Sequence, residues 1–128
     1  MRLKLIAVAV AAAAVLSVPA ARAQAFINVL TGGTSGVYYP LGVAIGKIYT
    51  DKIAGVKTQV QATKASVENL VLLQQGRGEI AFALGDSLKA AWDGDEEAGF
   101  ETKMDKLRTI GAIYPNYIQI VASPGQSQ

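Results

Sequence analysis

The chain of 128 residues contains neither cysteine nor histidine. Without cysteine there is no disulfide framework, no thiolate nucleophile and no cysteine-ligated zinc, and without histidine there is no Ser-His-Asp triad and no imidazole metal site. Charged residues are also scarce, at 17% against 51% hydrophobic residues, so the chain can bury enough apolar surface to fold. The sequence therefore predicts one modest globular domain and excludes most hydrolytic chemistry.

The first 23 residues have the pattern of a secretory signal peptide. Arg2 and Lys4 provide a positive start, an apolar run follows from Leu5 to Val18, and small residues precede a predicted cleavage after Ala23. The run is shorter than the roughly 20 residues of a membrane-spanning helix, and no cysteine follows it to carry a lipid. We therefore expect export to the periplasm, cleavage, and a mature product, residues 24–128, that is not inserted in the membrane.

The charge balance argues against nucleic acid as a partner. The chain has 12 Lys and Arg against 10 Asp and Glu, but three of the basic residues lie in the predicted signal, which leaves nine basic and ten acidic residues in 24–128. The remaining basic residues are scattered, and no basic run is interleaved with aromatic residues. A nucleic-acid surface is therefore not expected.

Apolar periodicity predicts strands that alternate with helices. Strands are predicted at 26–30, 56–62, 79–84, 107–113 and 117–121, the last two joined by a turn at 114–117. Helices are predicted to start at Pro40, at Ser66 and at Asp86 or Ser87, and to end at Gly55, Gly76 and Gly94. This order produces βαβ crossovers, so the expected fold class is α/β, with a mostly parallel sheet and helices on both faces.

Several details of these elements are specific enough to test. Ser66 is predicted as the N-cap of the second helix. The predicted apolar face of the first helix comprises Leu41, Ile45, Ile48 and Tyr49. The stretch 93–106 is interpreted as a surface loop, because it is polar and irregular. Its acidic residues do not have the spacing of a calcium-binding loop.

Polar junctions follow the first three predicted strands, at 32–36, 63–66 and 85–87. In an open α/β sheet, ligands bind beyond the carboxyl ends of the strands, where helix N-termini attract anions. The junctions offer the hydroxyls of Thr34, Ser35, Thr63, Ser66 and Ser87 and the amide of Asn69. Since these residues also suit plain capping and turn roles, an anion-binding face and a purely structural role both stay open. The glycine spacing matches neither a phosphate-binding loop nor a dinucleotide fingerprint.

The chain resembles the TAXI family of TRAP-transporter solute-binding proteins in three motifs: TGGTSGVYYPLG at 31–42, ATKASVENLVLLQQG at 62–76 and EIAFALGDS at 79–87. The resemblance implies the first lobe of a type II periplasmic binding protein. In such receptors two α/β lobes close on a small organic anion, such as glutamate, 2-oxoglutarate or a similar dicarboxylate, and deliver it to an ion-gradient-driven membrane permease. These receptors are at least about twice as long, so we expect this chain to be truncated before the second lobe.

The resemblance also implies ligand contacts at all three junctions. The implied contacts are Gly33, Thr34 and Tyr38 in the first loop, Ser66 and Asn69 at the second helix start, Asp86 and Ser87 at the third, and Tyr114 as a wall of the cleft. Where the family often has a polar glutamine and a small residue before the aspartate, this chain has Leu84 and Gly85, which removes one expected side-chain contact.

Capture of a small organic anion, without catalysis, cofactor or metal, is the leading functional hypothesis. It follows from three anion-friendly helix starts without a nucleophile and base pair. One alternative is an enzyme on a related two-lobed scaffold, with Asp86 or a tyrosine as general base. Another is a truncated receptor without transport activity.

Overall fold

The computed structural model of the chain describes residues 24–121. The predicted signal peptide, residues 1–23, lies outside the described residues, as does 122–128. The elements run in the order β1 (Ala25–Leu30), α1 (Tyr38–Lys52), β2 (Val56–Gln61), α2 (Ser66–Gln74), β3 (Ile80–Ala81) and α3 (Gly85–Asp93). The strands and helices predicted before residue 94 are thus present, although β3 is shorter than the predicted 79–84.

The three strands of the described range form one parallel sheet in the order β2-β1-β3. Ala25–Leu30 pairs in register with Val56–Gln61, and Val29 lies opposite Ile80. Strand β2 lies on one side of β1 and β3 on the other, so the two right-handed βαβ crossovers place α1 and α2 on opposite faces of the sheet. The predicted α/β class is confirmed, and the architecture is consistent with part of a periplasmic-binding-type lobe.

Helix α1 approaches the sheet through two glycines. Gly42 and Gly46 are its buried residues. A Cβ atom on Gly42 would collide with Cγ2 of Thr31, and one on Gly46 would lie 2.9 Å from Oγ1 of Thr58. The prediction that Ile48 lies on the buried face was wrong, because the glycine side of the helix faces the sheet and leaves Ile48 55% exposed.

The helix starts differ from the predicted ones. Helix α1 begins at Tyr38, so Pro40 lies within the first turn, where a missing N–H costs no helical hydrogen bond. Helix α3 begins at Gly85, before Asp86 and Ser87, and no side chain caps it. Asp86 Oδ1 instead accepts a hydrogen bond from the adjacent backbone N–H of Ser87.

Ser66 is the first residue of α2, not its N-cap. Ala65 occupies the cap position with φ 71° and ψ −143°, and no side chain caps the helix. The Ser66 hydroxyl is used elsewhere, since its Oγ accepts a hydrogen bond from the backbone N–H of Leu84 at 3.0 Å. The predicted ends of α2 and α3 are confirmed, because Gly76 and Gly94 adopt the left-handed conformation just beyond them. Helix α1 ends at Lys52, before the predicted Gly55.

An apolar cluster joins α2 and α3 to the chain that follows them. Its buried members are Leu70, Ala91, Phe100, Met104 and Leu107. The interpretation of 93–106 as a surface loop was therefore wrong in part, since the side chains of Phe100 and Met104 are 1% and 6% exposed. The Met104 N–H donates to the carbonyl of Ala91, which fixes this irregular segment against α3.

The strands predicted at 107–113 and 117–121 are absent from the described residues, and the turn predicted at 114–117 is not formed. Residues 109–113 line the same cavity as Ile80 and Phe82, so this segment lies near β3 without joining its ladder. Ile118 and Ile120 are more than 90% exposed. Both predictions were wrong because β-forming residues adopt strand structure only where a partner backbone supplies hydrogen bonds.

Candidate ligand-binding site

The carboxyl ends of all three strands meet at one edge of the sheet, because the strands are parallel. A cavity of about 320 Å³ opens at this edge. We call it the rim cavity; its lining includes Gly33, Tyr38, Ser66, Leu84, Tyr114 and Asn116. The start of α1, the start of α2 and the loop before α3 thus contribute to one concave surface.

Asn69 links the ends of the three strands through hydrogen bonds. Its side chain is fully buried, and its Nδ2 donates to the carbonyl oxygens of Thr31 at 2.6 Å and Phe82 at 2.7 Å. Its Oδ1 lies 2.7 Å from the hydroxyl of Thr63. Both amide hydrogens therefore bond to the protein, and the residue fixes the chain beyond β1, β2 and β3 relative to α2.

Two threonines extend this network. Thr31 is fully buried, and its hydroxyl donates to the carbonyl of Gln61 at 2.7 Å, next to its backbone bond with the same carbonyl. The Thr63 hydroxyl accepts from the backbone N–H of Ala65 at 3.0 Å. Ala65 is the non-glycine residue with positive φ in the described range, a conformation that costs roughly 1–3 kcal/mol and persists only where its surroundings enforce it.

Aromatic side chains form one wall of the rim cavity. The ring of Tyr38 stacks on Phe82 with centroids 5.2 Å apart and lies 6.4 Å from the tilted ring of Tyr114. Burial raises the pKa of the Tyr38 hydroxyl above its usual 10.0, and the nearby Tyr114 and Asp86 raise it further. The hydroxyl is therefore neutral at physiological pH and is suited to donate or accept a hydrogen bond.

A second cavity of about 620 Å³ adjoins the rim cavity. We call it the front cavity; its lining includes Tyr38, Leu84, Gly85, Asp86, Tyr114 and Asn116. Because Tyr38, Tyr114 and Asn116 line both cavities, a single small molecule could contact both.

A model of the NMT1-like family matches residues 29–128. The chain belongs to the NMT1-like family. The family is of the periplasmic solute-binding type, which suggests a binding protein rather than an enzyme, a small-molecule ligand and an extracytoplasmic location. Within residues 24–121, no helix has the length and apolar character needed to cross a membrane.

For this family member, the structure brings together most of the residues that the sequence singled out. Gly33, Tyr38, Ser66 and Tyr114 line the rim cavity, and Asp86 lines the front cavity. Ser87 lies beside Ser66 on a third cavity, which is about as open to solvent as the rim cavity and also includes Lys64 and Glu68. Their contact with a ligand stays a prediction.

Two of the singled-out residues lie elsewhere. Thr34 is exposed at the turn before α1 and is not part of the cavity linings. Asn69 is buried behind the site, where its amide hydrogens are already bonded.

Asn116 was missed, because the sequence presented it only as the centre of a Pro-Asn turn. The packing of the extended chain after residue 107 places it at the cavities. Among the described residues, no group of His, Cys, Asp or Glu could hold a metal ion.

Proposed function

We propose that this chain captures a small organic anion, such as glutamate, 2-oxoglutarate or a similar dicarboxylate, for a TRAP transporter of the TAXI type. The observation that carries the proposal is the convergence of three helix starts on the rim and front cavities in a member of a solute-binding family. No side chain caps α1, α2 or α3. Apart from the Ser87 N–H, which already donates to Asp86 Oδ1, first-turn N–H groups are available to a ligand carboxylate.

The chemistry of the rim cavity suits a carboxylate held by neutral donors. Backbone N–H groups at the start of α2 carry the positive end of the helix dipole, and hydroxyls at Tyr38 and Tyr114 supply further hydrogen bonds. Hydrogen bonds to a charged group contribute roughly 1.5–3 kcal/mol each. A few such bonds together with partial exclusion of water account for selective capture without a bond being made or broken.

The proposed receptor works in the periplasm together with a membrane permease. Residues 1–23 would act as the cleaved export signal, and 24–128 as the first lobe of a type II binding protein. A second lobe would close over the cavities, because receptors of this class surround their ligand from two sides. After signal cleavage, contact with the membrane is then limited to docking on the permease subunits.

Ligand-observed NMR with the full chain tests this proposal. Glutamate, 2-oxoglutarate and glutarate are each mixed with the protein at millimolar concentration, because one lobe alone should bind an organic acid only weakly. Glycerol serves as an uncharged control solute. We expect line broadening of at least one of the acids, none for glycerol, and no new product signals after prolonged incubation. Absence of broadening for every acid would contradict the proposed capture, and a product signal would indicate an enzyme.

A further inference from the structure

The charge that faces the two cavities is negative. Among the described residues that line the rim and front cavities, Asp86 is the only one with a charged side chain. Lysine and arginine are missing from both linings. Lys64 lines the third cavity, which shares Ser66 with the rim cavity, and Arg108 lines a further cavity, which shares Thr109 with the front cavity. A plain dicarboxylate would therefore place a second negative charge near Asp86 with no cation in either lining to offset it.

Asp86 has no cation bonded to it within residues 24–121. Its Oδ1 accepts a hydrogen bond from the Ser87 N–H at 2.6 Å. The ion pairs of the described range are Lys47 with Asp51 and Lys89 with Asp93. Lys89, which is close to one helical turn from Asp86 on α3, is paired with Asp93 at the surface. Asp86 is exposed at the mouth of the front cavity, where its carboxylate can attract a positive group from the ligand.

The aromatic wall is suited to the same positive group. The face of a tyrosine ring attracts an ammonium ion placed within about 6 Å of its centre. Tyr38 and Tyr114 both line the front cavity with Asp86, and the stacking of Tyr38 on Phe82 holds its ring in place. An ammonium group beside Asp86 would meet one carboxylate and two aromatic side chains.

We propose that Asp86, Tyr38 and Tyr114 form a subsite for a protonated amino group, so that the ligand is an amino acid rather than a plain dicarboxylate or a keto acid. This inference rests on the proposed function, in which the ligand carboxylate lies at the helix starts around the rim cavity. Since the two cavities share Tyr38, Tyr114 and Asn116, one small zwitterion spans both, with its ammonium group toward Asp86.

The test compares L-glutamate with glutarate, which has the same two carboxylates and carbon chain but lacks the amino group. Dissociation constants are measured by NMR titration of the full chain and of the variants Asp86→Asn, Asp86→Glu and Glu97→Gln. We expect the wild-type protein to bind glutamate about tenfold more tightly than glutarate, the difference a charged hydrogen bond provides. Asp86→Asn should remove this difference, because glutamate loses the partner of its ammonium group and glutarate loses the repulsion from Asp86; Asp86→Glu should restore part of it.

The control variant Glu97→Gln removes an exposed carboxylate that lies outside both cavity linings, and it should preserve the preference. Equal affinity for the two acids, or tighter binding of glutarate, would overturn the amino-group subsite while leaving the proposed capture of organic anions intact. A glutamate preference that survives Asp86→Asn would overturn the assignment to Asp86. Failure of both acids to bind the wild-type protein would instead contradict the proposed function, and the subsite with it.

Discussion

The carboxyl edge of the sheet and the apolar cluster are held together by different forces, although they meet at consecutive residues of α2. Asn69 belongs to the edge and is fully buried with hydrogen bonds to the chain beyond β1 and β3. Leu70 belongs to the cluster, is 2% exposed and packs with Phe100 and Met104. Helix α2 is therefore held by hydrogen bonds at Asn69 and by apolar packing at Leu70.

This difference separates the placement of the site from the stability of the fold. Hydrogen bonds fix the relative positions of the loops around the cavities, but each contributes only about 1 kcal/mol net. Apolar burial contributes more per side chain and tolerates small shifts. Substitutions in the cluster should therefore lower the free energy of unfolding most. Substitutions at the edge should lower it less, but they should displace the loops around the cavities.

The largest expected effect is that of Phe100→Ala. Phe100 is the largest fully buried side chain of the described residues, and truncating a buried phenylalanine costs about 3–5 kcal/mol of unfolding free energy. Urea unfolding measures the loss. Ile120→Ala is the control, because Ile120 is 91% exposed; similar losses in the two variants would contradict the assignment of Phe100 to the core.

A smaller loss, about 2 kcal/mol, is expected for Asn69→Ala, because the buried carbonyls of Thr31 and Phe82 lose their side-chain donor. Asn69→Leu keeps the same number of side-chain heavy atoms without the hydrogen bonds and should be destabilised as well. Thermal and urea unfolding of both variants decide the point. If Asn69→Leu were as stable as the parent, the amide would contribute packing rather than hydrogen bonds.

Ser66→Ala should cost about 1 kcal/mol, since it removes the acceptor of the Leu84 N–H. The expected signature is local: hydrogen exchange of the Leu84 amide should accelerate, whereas the amides of β1 should keep their protection. An unchanged exchange rate at Leu84 would show that the Ser66 hydroxyl does not hold the loop before α3.

The smallest effect is expected for Thr34→Val. Thr34 is exposed and is not in the rim or front cavity linings, so stability should change by less than about 0.5 kcal/mol and glutamate affinity should stay the same. Calorimetry or NMR titration of this variant beside Ser66→Ala compares the two positions. A marked loss of affinity at Thr34 would favour the contact that the TAXI resemblance implies.

The local pattern of the sequence was enough to predict β1, β2 and the three helices, because their periodicity and glycine ends are encoded within each segment. It was not enough for contacts that depend on distant segments. Phe100 and Met104 stand in a polar stretch without periodicity, and the extended chain after Leu107 has strand-forming residues but no strand partner among the described residues.

The site was predicted better in outline than in detail. The order of strands and helices was enough to place Gly33, Ser66 and Asp86 at one edge of the sheet. The positive φ of Ala65 and the bonds of Asn69 to Thr31 and Phe82 arise only when three segments meet. Since the sequence does not show that these segments meet, it suggested Asn69 as a ligand contact. In the structure the amide hydrogens of Asn69 bond to the protein instead.

The central claim is that the rim and front cavities at the carboxyl edge bind the ligand. The most direct test is a titration of the isotope-labelled full chain with L-glutamate, in which the shifts of assigned backbone amides are followed by NMR. We predict saturable shifts at Gly33, Ser66 and Asp86, with the amides of Phe100 and Met104 unchanged. Shifts confined to the apolar cluster or spread evenly over the chain, or no shifts at all, would contradict the account.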